Sequence, residues 1–598
     1  MFKTWFKIFY RNSKKKWLNI VVNIFGLTVG FAGLLLVLLY LHDEESYNKN
    51  NSSVNEVYRV IHKMSDGEVW ASSNNLEGAK FKDEIPEINN FYLSRSWPNS
   101  RVARVRGKDF YLEDILLGNP NFFDFFSFKI VEGSASIFKK TRNNLAISVE
   151  QAKVLFGNES PIGKTIEFSD RTFFVTTVFK IVGKHYFMPK MVVQFKEEPI
   201  GHWGSFSNNL FVKANKNSDF KELNKKVNDV WFKNVTQPQA KKDGTSTEDF
   251  FKKHGTTVIL EPLKDIRLKT IASDAGPEGK GNYELILIML SLSVLLILIS
   301  CVNFINLSIA SATQRAKEVG VKKTLGLSKA ILTQQYALEI VLQGFVAFIL
   351  SLVLVELILP SFNDFMNKEI SILNAELLLK VGIIAILISL IVGFIPAVYL
   401  SKFKSVEVLK GNISRSKQGI FARNIMLGIQ FLISGFFLTG SIIIYFQVDY
   451  MMNKDLGFKG EQVVLVNMND NKDRYKKYLL AKKELVKHPN IDVVTSNSFT
   501  IGGGSSNSTN VDYKDISVQT YANAIDYNYL QTMDVKLLKG RLLQENLASD
   551  TLKNVLINET LAKAFNIYDD PIGKKINAGF GDEVKDGKNL IIVGMLKD

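Results

Sequence analysis

Residues 157–165 end in Gly163-Lys164-Thr165, the glycine, amine and hydroxyl with which a nucleotide-binding loop wraps phosphate and holds magnesium. The spacing disagrees. Five residues, 158–162, separate Gly157 from Gly163, one more than that loop allows. The related stretch Gly573-Lys574-Lys575 has no hydroxyl. Both read as a proline turn leading into a strand. The six histidines, His42, His62, His185, His202, His254 and His488, include no pair at zinc-ligand spacing. Gly502-Gly503-Gly504-Ser505-Ser506 is a glycine-rich turn without the helix and acidic residue of a dinucleotide site. No Gly-x-Ser-x-Gly elbow occurs, and the one cysteine, Cys301, lies in an apolar run that disfavours a thiolate. The expectation is a non-catalytic chain with no metal, cofactor or catalytic residue of its own.

The elements that carry these turns occur twice. Residues 145–164 read LAISVEQAKVLFGNESPIGK, and residues 554–574 read NVLINETLAKAFNIYDDPIGK. Each is an apolar strand, an acidic residue (Glu150, Glu559), a short helix ending at Phe156 or Phe565, and a Pro-Ile-Gly-Lys turn. Asn121-Phe122-Phe123 and Gly133 answer Asn528-Tyr529-Leu530 and Gly540, and Ile181-Val182-Gly183 is matched with Ile592-Val593-Gly594. One domain is therefore expected twice. Its local patterns are mixed α/β, with β-type runs at 57–61, 110–112 and 173–182 and helical spacing over 76–85, up to Pro86. The loop Gly276-Pro277-Glu278-Gly279-Lys280-Gly281 reads as a hinge.

Around the copies lie five apolar runs, 18–41, 285–310, 338–359, 377–400 and 425–448. Each is long enough to cross a bilayer, which takes about 20 residues. The first exceeds the apolar core of a signal peptide and is followed by His42-Asp43-Glu44-Glu45 in place of a cleavage site, so it reads as a retained anchor. The net charge of +15 is no nucleic-acid footprint, because the basic residues collect at span ends. Lys3, Lys7, Arg11 and Lys14-Lys15-Lys16 precede the first span; Arg315, Lys317, Lys322, Lys323 and Lys329 follow the second. Lys402, Lys404, Lys410, Arg415, Lys417 and Arg423 follow the fourth. The positive-inside rule then puts these segments in the cytoplasm and both repeated domains outside, with anionic membrane lipid attracting the same residues. A single cysteine allows no intramolecular disulfide. The spans carry few polar groups, namely Asn19, Asn23, Asn303, Asn306, Gln430 and Glu356, fewer than an ion pathway needs. Gly26, Gly30 and Gly33 in the first span and Gly428, Gly435 and Gly440 in the fifth predict close helix packing with sliding.

The most informative segment is 311–329, SATQRAKEVGVKKTLGLSK. Charges alternate with small apolar residues, Gly320 and Gly326 bracket a basic piece, and Ser328 is placed to cap the third span's helix. Val319, Leu325 and Leu327 are apolar residues in a cytoplasmic loop, which predicts docking against a partner. This loop, through Arg315, Lys317, Glu318, Val319, Gly320, Val321, Lys322, Lys323, Leu325, Gly326 and Leu327, resembles that of the FtsX-like permease family of ABC transporters. Pro396-Ala397 and Tyr399-Leu400-Ser401, followed by residues 403–411 (FKSVEVLKG), look like the family's exit from the fourth span, with Ser405 where proline is usual. Asn453-Lys454-Asp455-Leu456-Gly457-Phe458 looks like its entry to the outer domain, and the two outer domains resemble MacB-type periplasmic core domains.

The resemblance implies an α-helical membrane protein with mixed α/β extracytoplasmic domains, internally duplicated as span, outer domain and three spans, with the second copy truncated. The expected divisions are a cytoplasmic basic tail (1–17), the first span (18–41), a first periplasmic core domain (42–282) and spans two to four (283–400) with a coupling loop (312–333). A cytoplasmic linker (401–424), a fifth span (425–448) and an incomplete second periplasmic core domain (449–598) follow. The chain is expected to be cut within a longer product. The resemblance further implies a permease subunit of the bacterial inner membrane. Its loop would rest on a separate ABC ATPase, a homodimer binding ATP and magnesium, with a periplasmic adaptor or outer-membrane factor as a further candidate partner and no nucleic acid. The implied activity is export of antimicrobial compounds, peptides or lipoproteins. The alternatives are a regulatory permease that controls cell-wall enzymes or senses peptides, and a membrane-tethered sensor with no ATPase.

Overall fold

The computed structural model describes residues 17–96, 101–169, 171–195, 203–273, 276–277, 279–401, 417–454, 462–466, 468, 474–499, 508–578 and 588–598. Among them are five helices long and apolar enough to cross a membrane. They lie within Trp17–Glu45, Tyr283–Thr324, Lys329–Met366, Ala375–Ser401 and Lys417–Asn453.

The first four form a bundle whose register follows from small residues. Opposite the first helix's Gly26, Gly30 and Gly33 lie Ser300, Ile297 and Ser293 of the second, so these two run antiparallel at close approach. Ser300 Oγ donates to Gly26 O at 2.8 Å, and Thr28 Oγ1 donates to Ala347 O at 3.3 Å, which sets the first helix level with the third. Gly344 and Gly393 let the third and fourth helices close on Ser389 and Ile340. Leu27, Phe31, Ile297, Phe304, Ile340 and Ala347 fill the interior. The expected small-residue packing is thus present in the first span. Beside Gly428, Gly435 and Gly440 of the fifth helix no atom lies within 4 Å of an added Cβ.

Between the first and second helices the chain folds into a mixed α/β domain around a 14-stranded sheet. Its path runs from Thr257–Pro262 through Val57–Lys63, Asn208–Ala214, Ile88–Ser96, Ile115–Gly118, Met191–Gln194, Asn144–Ser148, Thr172–Lys180, Thr165–Phe168 and Arg101–Val105 to Lys108–Leu112. Strands such as Ile115–Gly118 and Met191–Gln194 are buried on both faces and read as apolar runs up to their last residue, as central strands do. One face carries a phenylalanine-rich core that includes Phe122, Phe125, Phe126, Phe179 and Phe211; the other packs the helices Glu77–Glu84 and Phe220–Trp231 through Phe81, Leu223 and Val227.

The repeated sequence builds the same motif in each of the two compact units of the chain, Met1–Phe436 and Phe437–Asp598. In the first, Asn144–Ser148 pairs parallel to Thr172–Lys180, which pairs antiparallel to Thr165–Phe168 and Lys129–Gly133. In the second, Asn554–Asn558 pairs parallel to Lys588–Leu596, which pairs antiparallel to Lys575–Ala578 and Leu537–Gly540. The side chains of Ser148 and Asn558 cap the helices that follow, accepting from Gln151 N and Leu561 N. Gly163 and Gly573 adopt φ +79° in the Pro-Ile-Gly-Lys turns, and their amides donate to Val175 O and Ile592 O at 2.8 Å. Each parallel ladder also skips one residue, Thr176 or Val593.

That register corrects one expectation. Val175-Thr176-Thr177, not Ile181-Val182-Gly183, answers Ile592-Val593-Gly594, since Thr177 pairs with Gly133 as Gly594 pairs with Gly540. The connection after the proline turn and its strand is longer in the second copy, so counting from that turn slips the later strand. Residues 57–61 and 110–112 fall as expected in Val57–Lys63 and Lys108–Leu112, and the helical spacing over 76–85 is the helix Glu77–Glu84 with Leu76 and Ile85 as its caps.

Candidate functional site: the two ends of the helix bundle

The segment 312–333 is not a loop for most of its length. The second helix continues without a break from Tyr283 to Thr324, a turn at Leu325 to Ser328 follows, and the third helix starts at Lys329. Ala312, Gln314, Arg315, Ala316, Lys317, Glu318, Lys322 and Lys323 are good helix formers, the helix carries Gly320 within it, and it ends before Gly326, whose φ is +89°. Ser328 caps the third helix as expected, its side chain accepting from Ile331 N at 3.3 Å. The backbone places Arg315, Lys317 and Glu318 on this helix; their side chains lie outside what is described.

The remaining expected site residues divide into two sets. Val319 and Gly320 are buried, Val319 against Leu332, Tyr336 and Ala397, with Leu327 beside them. These residues hold the turn to the third and fourth helices. Val321 and Leu325 are exposed, Leu325 to 77%, and Lys322 reaches Gln335 Oε1 at 3.3 Å. Burial, and then the like charge of Lys329, pulls the Lys323 ammonium below the usual lysine range. The turn is therefore an exposed apolar knob with Lys322 and Lys323 beside it.

The opposite end of the bundle holds a junction that the sequence reading missed. Glu44, in the last turn of the first helix, has a fully buried side chain. Arg267 grips it with Nε at 2.6 Å and Nη2 at 3.0 Å, and Lys368 Nζ reaches its Oε1 at 2.6 Å. Asp43 binds Lys184 at 2.6 Å. Tyr47 lies under three cations, with Arg267 4.4 Å, Lys368 5.5 Å and Lys184 5.6 Å from its ring centroid. Lys184 and Arg267 belong to the α/β domain, whereas Lys368 follows the third helix. One acidic pair thus ties the first span, the domain and the link between the third and fourth spans together. Acids just past one span and a lysine just past another were the available signal. Arg267 Nη1 also donates to Gly279 O at 2.7 Å, and Gly281 N donates to Arg267 O at 2.8 Å, so the glycine-rich loop expected to act as a hinge is tied to the same arginine.

Behind the junction a buried network stiffens the domain. Arg59 donates to Glu261 Oε2 at 2.6 and 3.0 Å, to Thr270 Oγ1 at 2.7 Å and to Tyr186 Oη at 3.2 Å. Thr270 immediately follows the short helix Ile266–Lys269 that carries Arg267.

The other candidates have structural partners. Lys164 is not an open turn lysine: it binds Glu159 at 2.7 Å and lies 5.3 Å from the Phe156 ring centroid. His62 faces Ser72 O and Glu77 Oε1 at 3.1 and 2.9 Å within the core, and His42 faces Asn374 at 2.8 Å. Burial pushes His185 below the usual histidine range. Among the described residues no group of three or more His, Cys, Asp or Glu could hold a metal. His202 and residues 502–504 lie outside the described residues. The inventory of polar residues in the spans was also incomplete. Gln335, Glu339 and Gln343 recur every fourth residue along the third helix and are all buried, whereas Glu356 is exposed.

Known proteins match both parts of this arrangement. Residues 290–405 match the FtsX-like permease C-terminal family, and residues 20–230 match the MacB-like periplasmic core domain. A macrolide export ATP-binding/permease protein, MacB, of Mannheimia succiniciproducens is 22% identical over 53% of this chain and 47% of its own length. An ABC transporter permease of Bacillus subtilis, YvrN, is 20% identical over 66% of this chain and 96% of its own length. The chain spans about half the length, or less, of the MacB relatives it matches. The solved periplasmic region of MacB from Actinobacillus actinomycetemcomitans is 15% identical over 35% of this chain and 90% of its own, with a TM-score of 0.25.

Proposed function

We propose that this chain, which belongs to the FtsX-like permeases of ABC transporters and carries a MacB-like periplasmic core domain, is a non-catalytic membrane subunit driven by a separate ATPase. The observation that carries this reading is the unbroken helix Tyr283–Thr324. At 1.5 Å per residue it is a rod about 63 Å long, with the α/β domain at one end and the exposed Val321 and Leu325 at the other. The positive-inside argument places the turn in the cytoplasm, where the ATPase binds ATP and magnesium. Leu325 would enter an apolar pocket on that subunit. An acidic rim there would receive Arg315, Lys317, Lys322 and Lys323.

A push on the turn reaches the Glu44 junction along the second helix and its neighbours, and the junction passes it to the outer domain. Movement of helices is the reading we favour over a solute path, because the bundle interior is mainly apolar, with Asn23, Asn306, Gln335, Glu339 and Gln343 as its buried polar side chains. The cargo class we favour is an antimicrobial compound, peptide or lipoprotein handled by the outer domains, with a periplasmic adaptor as a further partner. Reversing charge together at Arg315, Lys317, Glu318, Lys322 and Lys323 tests the coupling. It should abolish both ATPase association and stimulated hydrolysis, and unchanged values would refute it.

A further inference from the structure

Resting on the reading that the outer domain handles cargo, we propose that its end away from the Glu44 junction binds a peptide through a lysine side chain, whose ammonium donates to Glu77 and Asn208. Glu77 is fully buried, and its two carboxylate oxygens differ. Oε1 accepts from Asn74 Nδ2 at 2.6 Å and faces His62 Nε2 at 2.9 Å, whereas Oε2 has no hydrogen-bond partner. Asn208 is buried in the same condition: its Nδ2 donates to Asn75 Oδ1 and Ser207 Oγ, and its Oδ1 is unpartnered. His62 and Asn208 continue the alternation of Val60 and Leu210 onto one face of the sheet. Leu210 Cδ1 on that face lies 2.8 Å from an ideal Cβ on Gly78, the neighbour of Glu77. Two buried acceptors without donors thus share one side of the domain, and leaving such groups unpaired is costly. A primary ammonium brings three donors and the charge that a carboxylate attracts.

The surrounding rings select how that ammonium is carried. Phe206 and Trp231 flank the His62 ring at centroid distances of 5.0 and 5.2 Å, Trp70 lies 5.6 Å from Phe206, and Trp203 lies 5.8 Å from Trp231. Trp203 O also accepts from Asn74 Nδ2 at 3.5 Å, so rings and carboxylate form one cluster. Trp70, Trp203 and Phe206 are half-buried, and the chain on either side of Phe206 is exposed at Gly204 and Ser207. A cation reaches the covered Glu77 only past these rings, on a slender apolar stem. The four-carbon stem of lysine meets that demand, and the ring faces attract its charge. Outside the rings Asp66 and Glu68 are exposed, with Glu68 Oε2 accepting from Trp70 Nε1 at 2.9 Å, which adds negative charge at the entrance. Occupancy has a route to the junction. Val258, at one end of the strand Thr257–Pro262, pairs with His62, and the other end leads to the helix that carries Arg267.

Calorimetric titration of the full chain in lipid nanodiscs tests the site, with Ala-Ala-Lys-Ala-Ala blocked at both ends as the probe. The parent should bind it, while the Nε-acetyl-lysine and Nε-trimethyl-lysine versions and pentaalanine with a free N-terminus should bind at least tenfold more weakly. The acetyl form lacks the charge, the trimethyl form keeps the charge but lacks the donors, and the free N-terminus lacks the stem. No uptake of the lysine peptide at millimolar concentration would overturn the proposal, as would equal binding of any of the three controls. Two variants place the site. Glu77→Gln keeps a carbonyl for Asn74 and His62 but turns an amide toward the ammonium, and should weaken binding about tenfold or more. Trp70→Leu removes a half-buried ring at the entrance and should weaken binding severalfold with little change in thermal midpoint, so it carries the test if the buried substitution fails to fold. Parent-strength binding by either folded variant overturns the assignment. No ATPase enters these titrations, so their failure leaves the coupling at the Leu325 turn standing; a chain that binds the peptide and does not stimulate hydrolysis refutes the coupling alone.

Discussion

Glu44 is the residue on which the outer junction depends. Its buried carboxylate faces Arg267 and Lys368, so Glu44→Gln leaves two cations gathered around a neutral amide. Breaking a buried pair by removing one partner typically costs about 3–5 kcal/mol. Thermal unfolding of the full chain in nanodiscs should show a loss near the lower end, because Asp43 remains close to Lys368; a change below about 1 kcal/mol would mean the cations have other counter-charges. Lys164 is a contrasting case. Its contacts to Glu159 and Phe156 make Lys164→Ala mildly destabilising, by roughly 0.5–1 kcal/mol, the range of an exposed ion pair. Glu159 gives the pH dependence. Hydrogen bonds from Arg106 and then Lys164 pull its carboxyl down from 4.5 to about 2. A depressed acid contributes stability that is complete above its unfolded range and is lost as pH falls toward its folded value. The stability difference between the parent and Glu159→Gln should therefore be constant above about pH 5 and vanish near pH 2; a difference that persists below that point would contradict the assignment.

At the scale of elements, the duplicated motif makes a paired prediction. Gly133 and Gly540 both adopt φ +80° beside the skipped residue of the parallel ladder. A Cβ there would sit 2.0 Å from Thr176 O and 2.3 Å from Val593 O. Because backbone rather than a flexible side chain stands in the way, Gly133→Ala and Gly540→Ala should each cost about 2 kcal/mol or more, read as a lowered unfolding midpoint. A neutral result in either copy would mean that the two motifs are not equivalent there. The repeat was legible because turn glycines and caps recur at fixed offsets. The later strand was not, because its register depends on the length of the connection before it, and Ile-Val-Gly offered a false match. The helix through 311–324 was hidden for a related reason: basic residues mark the side of a membrane and say nothing about whether a helix ends there. The junction around Glu44 joins residues far apart in the chain, and sequence showed only that the opposite charges lie at corresponding span ends.

For the whole molecule, apolar runs, charge asymmetry and the 315–327 pattern were enough to point to a permease with outer α/β domains. What the structure adds is continuity: one helix runs from the outer domain to the turn, and one ionic junction ties the domain to two other parts of the bundle. The central claim is that this rod is driven from the turn by an ATPase subunit. The most direct measurement is the hydrolysis rate of that ATPase with the full chain in nanodiscs, comparing the parent with Leu325→Asp. Leu325 is 77% exposed, so the variant should fold with an unchanged thermal midpoint and yet lose both ATPase association and stimulation of hydrolysis. Full association and stimulation by the Leu325→Asp chain would contradict the account.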